Sequence, residues 1–145
     1  MIDKYIHVFI IVIIGLVLCL CFNCSAEVDM EVLKLTESDG DQQAISCSGA
    51  KYGRGLYQIS EVMLKDYNYY NKCNIKPYEL FNVEINTNVC HWAIECRIPQ
   101  LLRHYDCTVS DESILHAYNI GCKAYSRGER NYKYINRYET KGGVV

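Results

Sequence analysis

Glu37 and two short motifs that follow it are the residues of this chain best suited to chemistry. Glu37 lies near the end of a predicted helix, and the motifs GLYQI at 55–59 and AYNIG at 117–121 come later in the chain. A carboxyl that apolar surroundings keep protonated near neutral pH can act as a general acid toward a glycosidic oxygen. An acid near a helix end is by itself typical of a solvated surface. The hypothesis that Glu37 is catalytic therefore depends on the motifs.

Together, Glu37-Ser38 and the two motifs resemble the soluble-lytic-transglycosylase (SLT) domain family, whose members cut the glycan strands of bacterial cell wall. Asn86, Trp92 and the run RIPQLL at 97–102 lie where that family has an Asn-rich helix start and a long helix. The resemblance extends roughly over residues 29–138. It implies a lysozyme-like fold and peptidoglycan glycan strands as the substrate.

The resemblance also implies a role for each of six residues. Glu37 would be the catalytic acid and base, and Ser38 would support it or contact the sugar. Substrate contacts are implied for the five residues Ser38, Gln58, Tyr118, Asn119 and Tyr134. Without the resemblance, Gln58 would be interpreted as a capping side chain and Tyr118 as a core aromatic residue.

The number of carboxylates bears on the reaction type, because the usual glycosidase needs two of them flanking the bond. No other acid of this chain stands at a spacing that compels partnership with Glu37. The resemblance implies that one glutamate acts twice. It protonates the oxygen between N-acetylmuramic acid and N-acetylglucosamine, then takes the proton of the muramoyl 6-hydroxyl, which leaves a 1,6-anhydro product. The alternatives are a muramidase that hydrolyses with water, and a non-catalytic wall-binding component of a secretion or conjugation apparatus or a phage particle.

Residues 5–22 are almost continuously apolar and follow Lys4, so residues 1–26 are predicted to form a membrane-targeting leader. Its length lies between that of a signal-peptide core and that of a short membrane-spanning helix. Small residues up to Ala26 favour cleavage after that position. An uncleaved anchor is the next alternative and a lipoprotein acylated at Cys24 the last, because Phe22-Asn23 fits lipidation poorly. We expect an exported protein of the periplasm or cell envelope.

Nine cysteines are present, and six of them follow the leader: Cys47, Cys73, Cys90, Cys96, Cys107 and Cys122. An even number in an exported domain predicts at least one disulfide. No metal site or cofactor is predicted, since the six cysteines beyond the leader show no Cys-x-x-Cys spacing and no neighbouring His pair is present. The formal net charge of −2 gives no electrostatic support for a nucleic-acid partner.

The spacing of apolar residues predicts one mainly α domain over residues 27–140, with a small β or loop element and a flexible tail at 141–145. The glycine-rich stretch 40–55 is predicted to be loop with a small hairpin. Helices are predicted over 28–37, 61–69, 86–104 and 111–119 and around 132–138, with Ser60 and Ser110 as N-caps and a kink at Pro99. In the long helix, a buried stripe is predicted for Val89, Trp92, Ala93, Cys96 and Leu102.

Overall fold

The computed structural model describes residues 27–48 and 51–143, and within them the protein is mainly helical with one small sheet, as predicted. The helices are α1 (Met30–Ser38), α2 (Glu61–Asn71), α3 (Val83–Trp92), α4 (Ile98–His104), α5 (Asp111–Ile120), α6 (Cys122–Ser126) and α7 (Tyr132–Lys141). A 3₁₀ helix spans Pro77–Phe81 and a π-helical turn spans Ala93–Arg97. The predicted leader at 1–26 lies outside the described residues. Among those described, no helix is both long and apolar enough to cross a membrane.

The glycine-rich stretch forms the predicted hairpin. Strands β1 (Ile45–Ser48) and β2 (Lys51–Arg54) are antiparallel, and the short β3 (Ile59–Ser60) pairs with the other edge of β2. Gly55, in the turn after β2, has φ of +75°, and a Cβ there would lie 2.3 Å from the Leu80 carbonyl oxygen. Only glycine fits this turn, which carries the GLYQI motif.

Capping residues set the ends of the helices next to that motif. Asp29 accepts hydrogen bonds from the first amides of α1, and Asp39, with φ of 54°, ends the helix. Ser60 accepts from the Met63 amide and begins α2, as predicted. Ser110 caps α5, also as predicted. Because α1 stops at Ser38, Glu37 lies in its last turn.

The predicted long helix is interrupted by the π turn before Pro99. The helix begins at Val83, earlier than predicted. In the π turn, the Ile98 amide donates to the Ala93 carbonyl, five residues back. Proline has no amide hydrogen, so the α-type bond to the Glu95 carbonyl cannot form. The wider turn shifts the angular register of the side chains. Val89, Ala93 and Leu102 are buried as predicted and Trp92 is half-buried, but Cys96 is exposed, so its place in the buried stripe was wrong.

Asn86 is fully buried and joins three segments of backbone. Its Oδ1 accepts from the Tyr57 amide at 2.9 Å, while its Nδ2 donates to the carbonyls of Arg54 at 2.9 Å and Leu80 at 2.8 Å. Around it lies a core that includes Leu33, Ile59, Leu80, Val89, Ile94, Leu102 and Ile114. Asn86 thus fixes the GLYQI turn to α3 and to the 3₁₀ helix.

The five cysteines whose side chains the structure describes are all free: Cys73, Cys90, Cys96, Cys107 and Cys122. Any pair among the six cysteines beyond the leader would include one of these five, so the structure does not support the predicted disulfide. Their thiols have other surroundings. Cys90 is buried beside Tyr118, Cys73 donates to the Asn68 side chain, and burial raises the pKa of Cys122 to about 11.

Replacement of Asn86 by alanine should lower the free energy of unfolding by about 3 kcal/mol, because one buried amide and two carbonyls lose their partner. Asn88→Ala is the matched control, since Asn88 is exposed on the same helix, and it should change stability by less than about 0.5 kcal/mol. Urea unfolding of both variants measures the difference. Equal losses in the two variants would contradict the structural role of Asn86.

Candidate active site

A cleft of about 690 Å³ runs across the protein, and Glu37 opens onto it. Its walls come from the hairpin, α2, the π turn with α4, the C-terminal end of α5, and α7. Four of the six predicted site residues line it: Glu37, Gln58, Tyr118 and Asn119. Ser38 and Tyr134 are not part of this lining. Ser38 is hydrogen-bonded to the Leu56 carbonyl, and Tyr134 is hydrogen-bonded to the Glu37 carboxyl.

The environment of Glu37 favours its protonated form. Burial raises the pKa of this carboxyl above its usual 4.5, although the hydrogen bond from Tyr134 and the charge of Arg137 act in the opposite direction. The Tyr134 hydroxyl donates to Glu37 Oε1 at 2.5 Å. Because Oε1 is occupied in this way, the carboxyl proton is expected on Oε2.

Tyr134 and Ser38 support the acid from behind. Tyr134 is 3% exposed, and burial together with the negative charge of Glu37 raises its pKa, so the phenol stays neutral and donates. Ser38 Oγ donates to the Leu56 carbonyl at 2.8 Å, which ties the end of α1 to the GLYQI turn. In this structure both residues position Glu37.

Tyr118 holds the same turn from the other side. Its hydroxyl donates to the Tyr57 carbonyl at 2.5 Å and lies 3.5 Å from the Cys90 thiol. Burial raises the pKa of Tyr118 well above its usual range. With its hydroxyl engaged, Tyr118 can offer a substrate its ring but not its hydroxyl proton.

Gln58 both lines the cleft and holds the neighbouring backbone, and its predicted contact with substrate stays a prediction. It lines the cleft, and its Nε2 donates to the carbonyls of Gly55 at 2.9 Å and Ala44 at 3.1 Å, so it also closes the base of the hairpin. Its Oε1 is buried and has no hydrogen-bond partner among the described residues. Gly53 makes room for it, since a Cβ there would lie 2.8 Å from Oε1.

Asn131 connects Asn119 to the helix that carries Tyr134. Its Nδ2 donates to Asn119 Oδ1 at 2.8 Å, and its Oδ1 caps α7 by accepting from the Tyr134 amide at 3.2 Å. The backbone amide of Asn131 donates to Nδ1 of His116 at 3.1 Å, and His116 is fully buried. Asn131 and His116 were not among the predicted site residues. An Asn before a helix is a detectable capping signal, but nothing local indicates the bond to His116.

His116 must be neutral to accept that bond. Burial lowers its pKa below the usual 6.5, with Glu112 opposing the shift. Since Nδ1 accepts from the Asn131 amide, the ring hydrogen is expected on Nε2, which lies 3.6 Å from Glu112 Oε1. Protonation of Nδ1 would break the link to Asn131.

The other acids of the cleft are held by arginines. Glu61 accepts from Arg54 at 3.2 Å, and Asp66 accepts from Arg97 at 2.8 Å. Arg97 also lies 4.6 Å from the centre of the Tyr70 ring, beside Trp92. Glu37 is therefore the cleft acid that has no ion pair within hydrogen-bond distance among the described residues.

A comparison with protein families decides the relationship of the chain. The family described as Transglycosylase SLT domain matches residues 27–140. The chain belongs to this family. Searches of the curated proteins and of the solved structures found no match. Membership of the SLT family confirms the resemblance that the motifs indicated and implies lytic-transglycosylase-type cleavage of peptidoglycan.

The neutral state required of His116 predicts a pH-dependent stability. The unfolded state takes up a proton near the usual pKa of 6.5 while the folded state resists it, so the free energy of unfolding should fall as pH drops below 6.5. The slope from one such group is at most about 1.4 kcal/mol per pH unit. His116→Asn keeps an acceptor for Asn131 but cannot titrate. Urea unfolding between pH 7.5 and 5.5, a window of roughly one unit either side of that pKa, measures both proteins. The free energy of unfolding of the variant should depend less steeply on pH. Identical slopes for the two proteins would contradict this account.

Proposed function

We propose that this SLT-family protein is a peptidoglycan lytic transglycosylase with residues 27–140 as its catalytic domain. It would cleave the β-1,4 bond between N-acetylmuramic acid and N-acetylglucosamine and leave a 1,6-anhydromuramoyl end. The observation that carries the proposal is the Glu37 carboxyl, which opens onto the cleft, has a pKa raised by burial, and is held by Tyr134.

In the first step, Glu37 would donate its proton from Oε2 to the glycosidic oxygen as the bond to the anomeric carbon breaks. The carboxylate that results keeps the hydrogen bond from Tyr134 and the favourable charge of Arg137, both of which stabilise the ionised form. In the second step, that carboxylate takes the proton of the muramoyl 6-hydroxyl. The oxygen of this hydroxyl bonds to the anomeric carbon at the same time. Glu37 is then protonated again, and no water is consumed.

The state of the other cleft acids supports the use of one glutamate twice. Glu61 and Asp66 are engaged by Arg54 and Arg97. A carboxylate oxygen that is hydrogen-bonded to a guanidinium is not free to accept a proton from an attacking water. This arrangement favours attack by the sugar's own hydroxyl over the two-carboxylate hydrolysis of the usual glycosidase.

The remaining site residues are proposed to shape the sugar-binding surface. Trp92, Tyr52 and the Tyr118 ring line the cleft, and aromatic faces cover the apolar faces of pyranose rings. Asn119 and Gln58 would supply polar contacts to the sugars. Ser38 is proposed to act through the position of Glu37.

Action on peptidoglycan implies a location in the cell envelope. We propose that residues 1–26 direct export and are removed near Ala26, with an uncleaved membrane anchor as the alternative. The mature enzyme would then reach the whole wall layer. Intact-mass analysis of protein from the envelope fraction tests this, and retention of residues 1–26 in the active form would contradict cleavage.

Digestion of purified cell wall tests the proposed reaction. The expected muramoyl product is lighter by one water molecule than a hydrolytic product, and mass analysis separates the two. A hydrolytic product would show a muramidase instead. Binding to the wall without cleavage would favour a non-catalytic wall-binding component.

Glu37→Gln should abolish cell-wall cleavage while the fold is kept, because the amide is nearly isosteric but cannot deliver or accept the proton. A loss of about 10²–10⁴-fold is typical of general acid–base catalysis. Glu61→Gln is the matched control, since Glu61 lines the same cleft, and it should retain most of the activity. Near-normal cleavage by Glu37→Gln would refute the assignment.

Tyr134→Phe should move the basic limb of the kcat/KM profile to higher pH. The lost hydrogen bond normally lowers the pKa of Glu37, so its removal keeps the acid protonated over a wider range. The maximal rate should fall, because the carboxylate formed in the first step is less stabilised. Tyr138→Phe on the same helix, where the hydroxyl contacts Asp29, should leave the limb in place. A limb that is unchanged or moves to lower pH in Tyr134→Phe would contradict the role of Tyr134.

A further inference from the structure

Arg137 presents a positive charge beside the catalytic acid. It lies on the exposed side of α7 and lines the cleft together with Glu37, close enough for its charge to lower the pKa of that carboxyl. Its guanidinium carbon stands 5.6 Å from the centre of the Tyr134 ring. The ring that supports Glu37 therefore also flanks Arg137.

The other arginines of this region have partners. Arg54 and Arg97 are bound to Glu61 and Asp66. Within the described part of the chain, no hydrogen bond and no ion pair holds the Arg137 guanidinium. Asp39, whose pKa is lowered by the hydrogen bond from Lys141 and also by the charge of Arg137, forms its ion pair with Lys141 instead.

We propose that Arg137 binds a carboxylate of the substrate next to the scissile bond, so that the cleft selects muramoyl glycan over uncharged N-acetylglucosamine polymer. This inference rests on the proposed function. A guanidinium offers a planar fork of N–H donors that matches a carboxylate in a two-point contact. Arg137 lies over the Tyr134 ring, and a guanidinium over a ring can still donate its in-plane N–H groups.

Peptidoglycan has two sources of carboxylate that share this chemistry. One is the lactyl carboxylate of N-acetylmuramic acid, which is free only where the peptide has been removed. The other source is the stem peptide, whose own carboxylates lie one or more residues farther from the sugar. N-acetylglucosamine carries neither group, so its oligomers serve as the uncharged reference.

The test is calorimetric binding by the full chain carrying Glu37→Gln, which prevents turnover, with and without Arg137→Gln. Four ligands are compared: an N-acetylglucosamine oligomer, glycan stripped of peptide, the same stripped glycan with its lactyl carboxyl converted to an amide, and peptide-bearing glycan. Arg137→Gln should weaken binding of the carboxylate-bearing ligands by roughly tenfold or more. Binding of the uncharged oligomer should change less than about twofold.

The four ligands also separate the two sources. An effect on stripped glycan that disappears when the lactyl group is amidated assigns the contact to that group. An effect confined to peptide-bearing glycan assigns it to the stem peptide. Lys65→Gln removes one positive charge from another part of the same cleft and should cost much less than Arg137→Gln for every ligand.

Three results would overturn the inference: no loss with any ligand, an equal loss with the uncharged oligomer, or an equal loss in Lys65→Gln. The wild-type cell-wall digest tests the proposed function separately. If that digest gives a hydrolytic product or no product, the proposed function fails, but the binding comparison for Arg137 is still valid. Conversely, an anhydro product combined with binding that does not depend on Arg137 rejects only the role of Arg137.

Discussion

The burial of the Glu37 carboxyl against Tyr134 is the constraint on which the rest of the site depends. The hydrogen bond between them joins residues 97 positions apart, one at the end of α1 and one in the first turns of α7. Each end is fixed by separate contacts. Asp39 terminates α1 and Ser38 ties it to the GLYQI turn, while Asn131 caps α7 and anchors it to α5. The acid therefore keeps its place only when the whole helical domain is folded.

The electrostatic balance at Glu37 suits the proposed use of one carboxyl first as acid and then as base. Burial alone would favour the neutral carboxyl so strongly that the ionised form would be costly. The Tyr134 hydroxyl and the Arg137 charge reduce that cost without exceeding the effect of burial. In the proposed mechanism, the neutral carboxyl can thus give up its proton in the first step and recover it in the second. The neighbouring Tyr118 and Cys90 have pKa values raised by burial, so they add no negative charge beside Glu37.

Local signals were sufficient to predict much of the fold and the position of the acid. Ser60 and Ser110 were identified as N-caps because capping depends on one side chain and amides close by in sequence, and the end of α1 followed from Asp39-Gly40. Cys96 was misplaced because a π turn, which a regular 3.6-residue period does not include, precedes Pro99. Arg137 and His116 were missed for another reason. Their roles arise only when α5, α7 and the end of α1 pack together, and nothing in the neighbouring sequence encodes that packing.

The burial of Glu37 predicts a carboxyl that is protonated at a pH where an ordinary glutamate is ionised. An NMR titration of the side-chain carboxyl carbon of Glu37 measures this directly in the free protein. Because burial raises the pKa of this carboxyl, the midpoint should lie clearly above 4.5, the usual value for glutamate. The exposed Glu84 serves as an internal reference. A midpoint for Glu37 at or below 4.5 would contradict the account, because the carboxyl would then be ionised before it could donate a proton to the glycosidic oxygen.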